Sequence, residues 1–119
     1  MVDDSSLARR TLRQILEGAG FEVEDAPDGA TALERYFLKP HDLIMLDMVM
    51  ESMYGLDVLS KFRELNPQVR VIVATADIQS STREQVKAAG AAGMLNKPFN
   101  RETVLAAVET VVNGGQSWN

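Results

Sequence analysis

Five polar residues each follow directly on a short apolar run or its last residue: Asp3 and Asp4 after Met1-Val2, Asp47 after Leu43-Ile44-Met45-Leu46, Thr75 after Val71-Ile72-Val73-Ala74, and Lys97 after Gly93-Met94-Leu95-Asn96. If those runs are neighbouring strands, the five residues share the carboxyl edge of one sheet, where open α/β sheets place their functional crevice. Singly, each has an ordinary explanation: an aspartate before a helix can cap it, a threonine can end a strand, and a lysine can sit in a solvated loop. Asp47 is harder to dismiss, because an unpaired carboxylate at the mouth of a wholly apolar strand is costly. Jointly the residues describe a chemistry. Asp3, Asp4 and Asp47 repel one another unless a cation neutralises them, and Mg²⁺ suits, since it takes hard oxygen ligands, keeps several waters and needs only Asp4, Asp47 and a loop carbonyl near Val49. Lys97 offers a point charge and Thr75 a rotatable hydroxyl to a phosphoryl oxygen. These are the parts of an aspartate nucleophile that accepts a phosphoryl group.

The elements that must position these residues follow from the hydrophobic pattern. Ala8, Leu12, Ile15 and Leu16 repeat at helical spacing and predict a first helix over Ser6–Gly18, stopped by Gly18-Ala19-Gly20. Phe21–Asp25 alternates apolar and acidic residues, as a second strand near a sheet edge would, and Ala26-Pro27-Asp28-Gly29 turns into a helix that ends near Pro40. Asp42–Leu46 reads as a third strand, buried on both faces. Val58, Leu59, Phe62 and Leu65 form the stripe of a third helix, which Asn66-Pro67 ends. Val69–Ala74 predicts a fourth strand, and Ser80–Ala89 a polar, weakly buried helix that is free to move, stopped by Gly90. Gly93–Asn96 predicts a short fifth strand, and Val104, Leu105, Val108, Val111 and Val112 face a last helix ending at Asn113-Gly114-Gly115.

The product is a (βα)5 chain. Right-handed crossovers favour a doubly wound, flavodoxin-like parallel sheet of strand order 2-1-3-4-5. Its first strand is truncated, because only Met1 and Val2 precede Asp3 where about five apolar residues are usual. Residues 1–113 form the domain and 114–119 a short tail, whose Trp118 reads as disordered rather than as an anchor.

Composition removes other classes. The chain has 119 residues, 45% hydrophobic and 24% charged, which is one globular domain and neither a fibre nor a disordered tract. With no cysteine and a single His41, thiol catalysis, cysteine-ligated metals, disulfides and multi-histidine sites are excluded. A net charge of −5 has the wrong sign for direct nucleic-acid binding. No run is long and apolar enough for a membrane span and no signal peptide is visible, so a cytoplasmic location without membrane contact is expected.

Val2-Asp3-Asp4-Ser5, Leu46-Asp47, Gly55 eight residues further on, Ala74-Thr75-Ala76 and Lys97-Pro98-Phe99 together resemble the CheY-like receiver domain of bacterial two-component response regulators, over essentially the whole chain. The resemblance implies that Asp47 is the phosphoacceptor, that Asp3 and Asp4 position Mg²⁺ with Asp47 and the Val49 carbonyl, that Thr75 is the switch hydroxyl, and that Lys97 clamps the phosphoryl group before a cis Lys97-Pro98 bond. Met94 stands where the family usually carries Tyr or Phe as the second switch residue, Glu51 where proline is common, and Tyr54 in place of a small polar residue. Val49 and Asp77 border the reacting group and tune the lifetime of the phosphorylated state.

The implied partners are a histidine kinase or phosphotransfer protein and a downstream protein or detached output domain, read out on helix four, strand five and helix five; a homodimer is open. Met45, Met48, Met50, Met53 and Met94 read as adaptable packing near the site. Three alternatives stand beside this reading. A haloacid-dehalogenase-like phosphatase would want a second acid two residues after the nucleophile, where Val49 stands. A flavodoxin-type carrier would want a glycine-rich loop where Ser5-Ser6-Leu7 stands. A pseudo-receiver would keep the fold and bind partners without being phosphorylated.

Overall fold

A computed structural model describes residues 1–3, 5–48, 55–76 and 80–118. Its elements run α1 (Ser6–Gly18), α2 (Gly29–Leu38), β1 (Ile44–Asp47), α3 (Gly55–Leu65), β2 (Val71–Thr75), α4 (Ser80–Ala88), β3 (Gly93–Asn96) and α5 (Arg101–Val112). The third, fourth and fifth predicted strands are thus β1, β2 and β3, joined in parallel in the order β1-β2-β3. Leu46 lies opposite Val73, and Val73 opposite Met94.

Two layers of helices cover this sheet because side chains alternate across a strand. Ile44, Leu46, Val71 and Val73 point to the face closed by Val58, Leu59 and Phe62 of α3, Val86 of α4 and Ala32 and Tyr36 of α2. Met45, Ile72 and Leu95 point to the other, closed by Leu12 and Leu16 of α1 and Val104, Val108 and Val111 of α5. All residues of β1 and β2 are buried, which explains their unbroken apolar runs.

The first and second predicted strands are reduced to bridges. Val2 pairs in parallel with both Ala26 and Leu46, which puts the segments in the order 2-1-3-4-5. Its amide donates to the Met45 carbonyl at 2.7 Å and its carbonyl accepts from the Asp47 amide at 2.8 Å, while the Ala26 amide donates to the Met1 carbonyl at 2.9 Å. Phe21–Asp25, expected as a strand, forms no ladder. The segment instead borders a cleft of about 490 Å³ lined by Phe21, Val23, Leu43, Met45 and Val108, so its residues have no backbone ladder to join there.

Local capping fixes the helices that hold the site. Ser5 caps α1 by accepting from the Ala8 amide at 3.2 Å, and Asp28 caps α2 by accepting from Thr31 at 2.8 Å. Asn100 caps α5, its Oδ1 accepting from the Glu102 and Thr103 amides at 2.9 and 3.2 Å. Replacing Asn100 with alanine leaves those donors unpaired, and the expected result is a loss of about 1 kcal/mol in urea unfolding; an unchanged midpoint would show that this cap does not stabilise α5. The fourth helix, expected to be weakly buried, buries Thr82 and Val86, one turn apart on the same face.

Candidate functional site

The carboxyl ends of the strands bring three of the predicted residues together. Asp3 leaves the Val2 bridge, Asp47 ends β1, and Lys97 follows β3. The Lys97 Nζ lies 2.9 Å from Asp3 Oδ2 and 3.1 Å from Asp47 Oδ1, so one ammonium spans both carboxylates. Asp3 and Asp47 are only 6% and 7% exposed, which makes that contact charge compensation in a poorly solvated place rather than a surface ion pair. Burial works against the Lys97 charge, but hydrogen bonds to Asp3 and Asp47 outweigh it and hold its pKa above the ordinary lysine range.

Backbone contacts fix the geometry. The Lys97 amide donates to the Thr75 carbonyl at 2.8 Å, tying the loop after β3 to the end of β2, and the Met48 amide donates to Ala74 at 2.9 Å. Thr75 is buried at the end of β2, beside the register that pairs Asp47 with Ala74. The Lys97-Pro98 peptide is cis, as the resemblance implies. Met94 sits half-buried in β3, packed against the same core cluster as Val73 and Val86.

Two contributions escaped the sequence reading. Arg9, one turn inside α1, donates from a guanidinium nitrogen to the Asp3 carbonyl at 2.6 Å, while the Ser5 amide donates to Asp3 Oδ1 at 2.8 Å. Asp3 is therefore held by its own helix start as well as by Lys97; the only signal for this was the Ser5 cap with an arginine four residues on. Gly55, read only as part of a motif, is required by a close approach. A Cβ there would stand 2.3 Å from the Asp47 carbonyl oxygen and 2.7 Å from Met48 Cα, and its amide donates to the Met48 carbonyl at 2.6 Å.

Asp4, Val49, Glu51, Asp77, Met50, Met53 and Tyr54 lie outside the described residues. Among the described residues the carboxylates at this edge are those of Asp3 and Asp47, and no helix is long and apolar enough to cross a membrane. Two buried, hard oxygen donors fit Mg²⁺, which commonly uses one or two carboxylates and completes its octahedron with water.

A parallel sheet of order 2-1-3-4-5 with two buried acids and a lysine at its carboxyl edge is a doubly wound α/β domain whose charged groups gather where such folds place their functional crevice. The family model of the response regulator receiver domain matches residues 1–109. The chain belongs to this family of signalling domains, which leaves the flavodoxin-type and dehalogenase-type readings without support. It is similar to the chemotaxis protein CheY of Bacillus subtilis, 34% identical over 114 residues and covering 95% of each chain. Among solved structures it resembles chemotaxis protein CheY4 of Vibrio cholerae, with a TM-score of 0.86 at 34% identity over 91% of this chain and 92% of that one. The CheX-CheY-BeF3-Mg complex of Borrelia burgdorferi contains another similar chain, with a TM-score of 0.87 at 33% identity, covering 92% of this chain and 84% of that one.

Proposed function

We propose that this receiver accepts a phosphoryl group on Asp47 and passes the change of state to a partner protein. The observation that carries the reading is the single ammonium of Lys97 within 3.1 Å of Asp47 and 2.9 Å of Asp3. In the reaction, an Asp47 carboxylate oxygen attacks the phosphorus of a phosphohistidine on a histidine kinase or phosphotransfer protein. The new P–O bond forms as the P–N bond breaks, and the departing imidazole takes up a proton from solvent.

This chain's own groups divide the work. Asp3, held by Ser5 and Arg9, keeps a second negative charge beside the acceptor, and Lys97 is free to exchange one carboxylate contact for a phosphoryl oxygen without moving its backbone, which is tied to Thr75. Mg²⁺, when bound, supplies the divalent charge that phosphoryl oxygens need; Asp3 and Asp47 would hold it with Asp4 and the Val49 carbonyl. The CheY in the Borrelia burgdorferi complex is solved with BeF3 and Mg²⁺, and that supports the assignment by kinship. Thr75 and Met94 form the switch, with methionine filling in more than one rotamer the space an aromatic ring takes elsewhere in the family, and Val49 and Asp77 tune the lifetime. In that complex a CheY chain is bound to another protein, CheX, which supports partner binding by this receiver, and a cytoplasmic location goes with the reading.

The test is intact mass after incubation with acetyl phosphate and Mg²⁺. One phosphoryl increment is expected, absent from Asp47→Asn and from a chelated sample. A folded protein that gains no mass would instead be a pseudo-receiver.

A further inference from the structure

The chain does not trail away after α5. Its end is a Schellman closure: the Gly115 amide donates to the Thr110 carbonyl at 2.9 Å and the Gly114 amide to Val111 at 2.9 Å, with Gly114 at φ +95°. That closure turns the backbone back toward the sheet. Ser117 then pairs in parallel with Gly93, on the edge of β3 away from β2. Its amide donates to Ala92 at 2.9 Å and its carbonyl accepts from Met94 at 3.1 Å. Gly93 permits the approach, since a Cβ there would stand 2.7 Å from the Ser117 carbonyl oxygen. Trp118, expected to be disordered, packs against the core cluster that contains Val86 and Ala91, with the Lys87 ammonium of α4 5.4 Å from its ring centre.

We propose that the edge of β3 and the adjoining flank of α4 are a docking surface for an extended peptide segment of a partner, one that places an aromatic residue directly after its pairing residue, and that residues 116–118 hold this surface shut in cis. The seated segment itself displays the chemistry of the occupant: backbone pairing at Ala92 and Met94, no side chain in the way at Gly93, and a ring between the core and Lys87. Two backbone hydrogen bonds and a partly exposed indole place this strap at the low end of local stability, so that it opens without unfolding the domain. The surface belongs to the readout face implied by the resemblance, and the proposal rests on that reading for its consequence only.

Trp118 is the sole tryptophan, so it reports its own displacement. The probe is a capped peptide of residues 114–118 carrying Trp118→Phe, silent in tryptophan fluorescence. Ser117→Pro removes one strap hydrogen bond and leaves the edge intact, whereas Gly93→Ala obstructs the edge for any occupant; exchange of the β1 and β2 amides establishes that both variants are folded. In the wild type the Met94 amide should exchange at least about tenfold more slowly than in Ser117→Pro. The peptide should half-saturate Ser117→Pro, read from the Ala92, Gly93 and Met94 resonances, at a concentration at least about tenfold below that needed to displace Trp118 in the wild type, because a tethered strap competes at an effective concentration of millimolar order. Gly93→Ala should bind none. Equal Met94 exchange in wild type and Ser117→Pro would overturn the strap, and a peptide that moves no resonance from Ala92 to Met94 in Ser117→Pro would overturn the docking surface. No phosphoryl donor enters the test, so failure of the acceptor chemistry cannot be mistaken for failure of the strap.

Discussion

Replacing Lys97 with alanine is expected to lower the stability of the metal-free protein by about 2–4 kcal/mol at neutral pH, and to make what remains depend on Mg²⁺. Asp3 and Asp47 are both nearly inaccessible to water, and the Lys97 ammonium puts a positive charge within hydrogen-bond reach of each. Removing it leaves two carboxylates side by side with little solvent to screen them. Mg²⁺ would restore a positive charge to the same place, so saturating Mg²⁺ should raise the variant's unfolding midpoint by more than it raises that of the wild type. The wild-type pH dependence has a fixed sign. Because the Lys97 pKa is raised on folding, its contribution is fully present below the ordinary lysine value and is lost as pH rises through the raised one. The variant should therefore lose the alkaline part of the wild-type stability profile. Urea unfolding in chelator, with and without added Mg²⁺, reads all of this; a Lys97→Ala protein as stable as the wild type in chelator would mean that the bridge contributes nothing.

Gly55→Ala should cost about 2–3 kcal/mol, an unusual penalty for adding one methyl group at the start of a helix. Glycine to alanine inside a helix ordinarily stabilises, by about 0.5–1 kcal/mol. Here the new Cβ would meet the backbone of Asp47 and Met48, which cannot rotate away as a side-chain tip would. Relief requires α3 to move from β1, and with it the chain that leaves the acceptor. Gly18→Ala is the matched control: its Cβ would come no nearer than 3.4 Å to the end of the Arg101 side chain, and it should be neutral or mildly stabilising. Phosphoryl acceptance should fall in Gly55→Ala and not in Gly18→Ala. Equal stabilities for the two variants would show that the close approach at Gly55 relaxes without cost.

The strands that carry Asp47 and Thr75 were readable because they are buried on both faces, so their apolar runs have no interruption and each ends on its polar residue. Lys97 was readable from a weaker signal, as the residue after the short run that becomes β3, a strand in which only Gly93 and Leu95 are buried. Phe21–Asp25 was not, because an alternating pattern becomes a strand only when a neighbour pairs with it, and Val2 supplies a single bridge. The hold of Arg9 on Asp3 depends on how one helical turn lies over a carbonyl six residues earlier, which spacing does not encode. Gly55 was visible as a glycine, but its cause, that a Cβ there would run into the backbone of Asp47 and Met48, belongs to how the start of α3 packs on the end of β1. The Gly114-Gly115 pair announced the end of α5; that the chain then returns to the edge of β3 followed from where that edge lies, which only the assembled sheet reveals.

The most direct test of the central claim is the location of the phosphoryl group itself. Borohydride reduces an acyl phosphate to an alcohol with loss of phosphate, and so converts a phosphorylated aspartate to homoserine, which peptide mass spectrometry places in the sequence. After acetyl phosphate and Mg²⁺, homoserine is predicted at position 47 alone, and nowhere in a chelated control. Homoserine at another acid such as Asp3, or at no position in a protein that remains folded, would contradict Asp47 as the acceptor and Lys97 as its clamp.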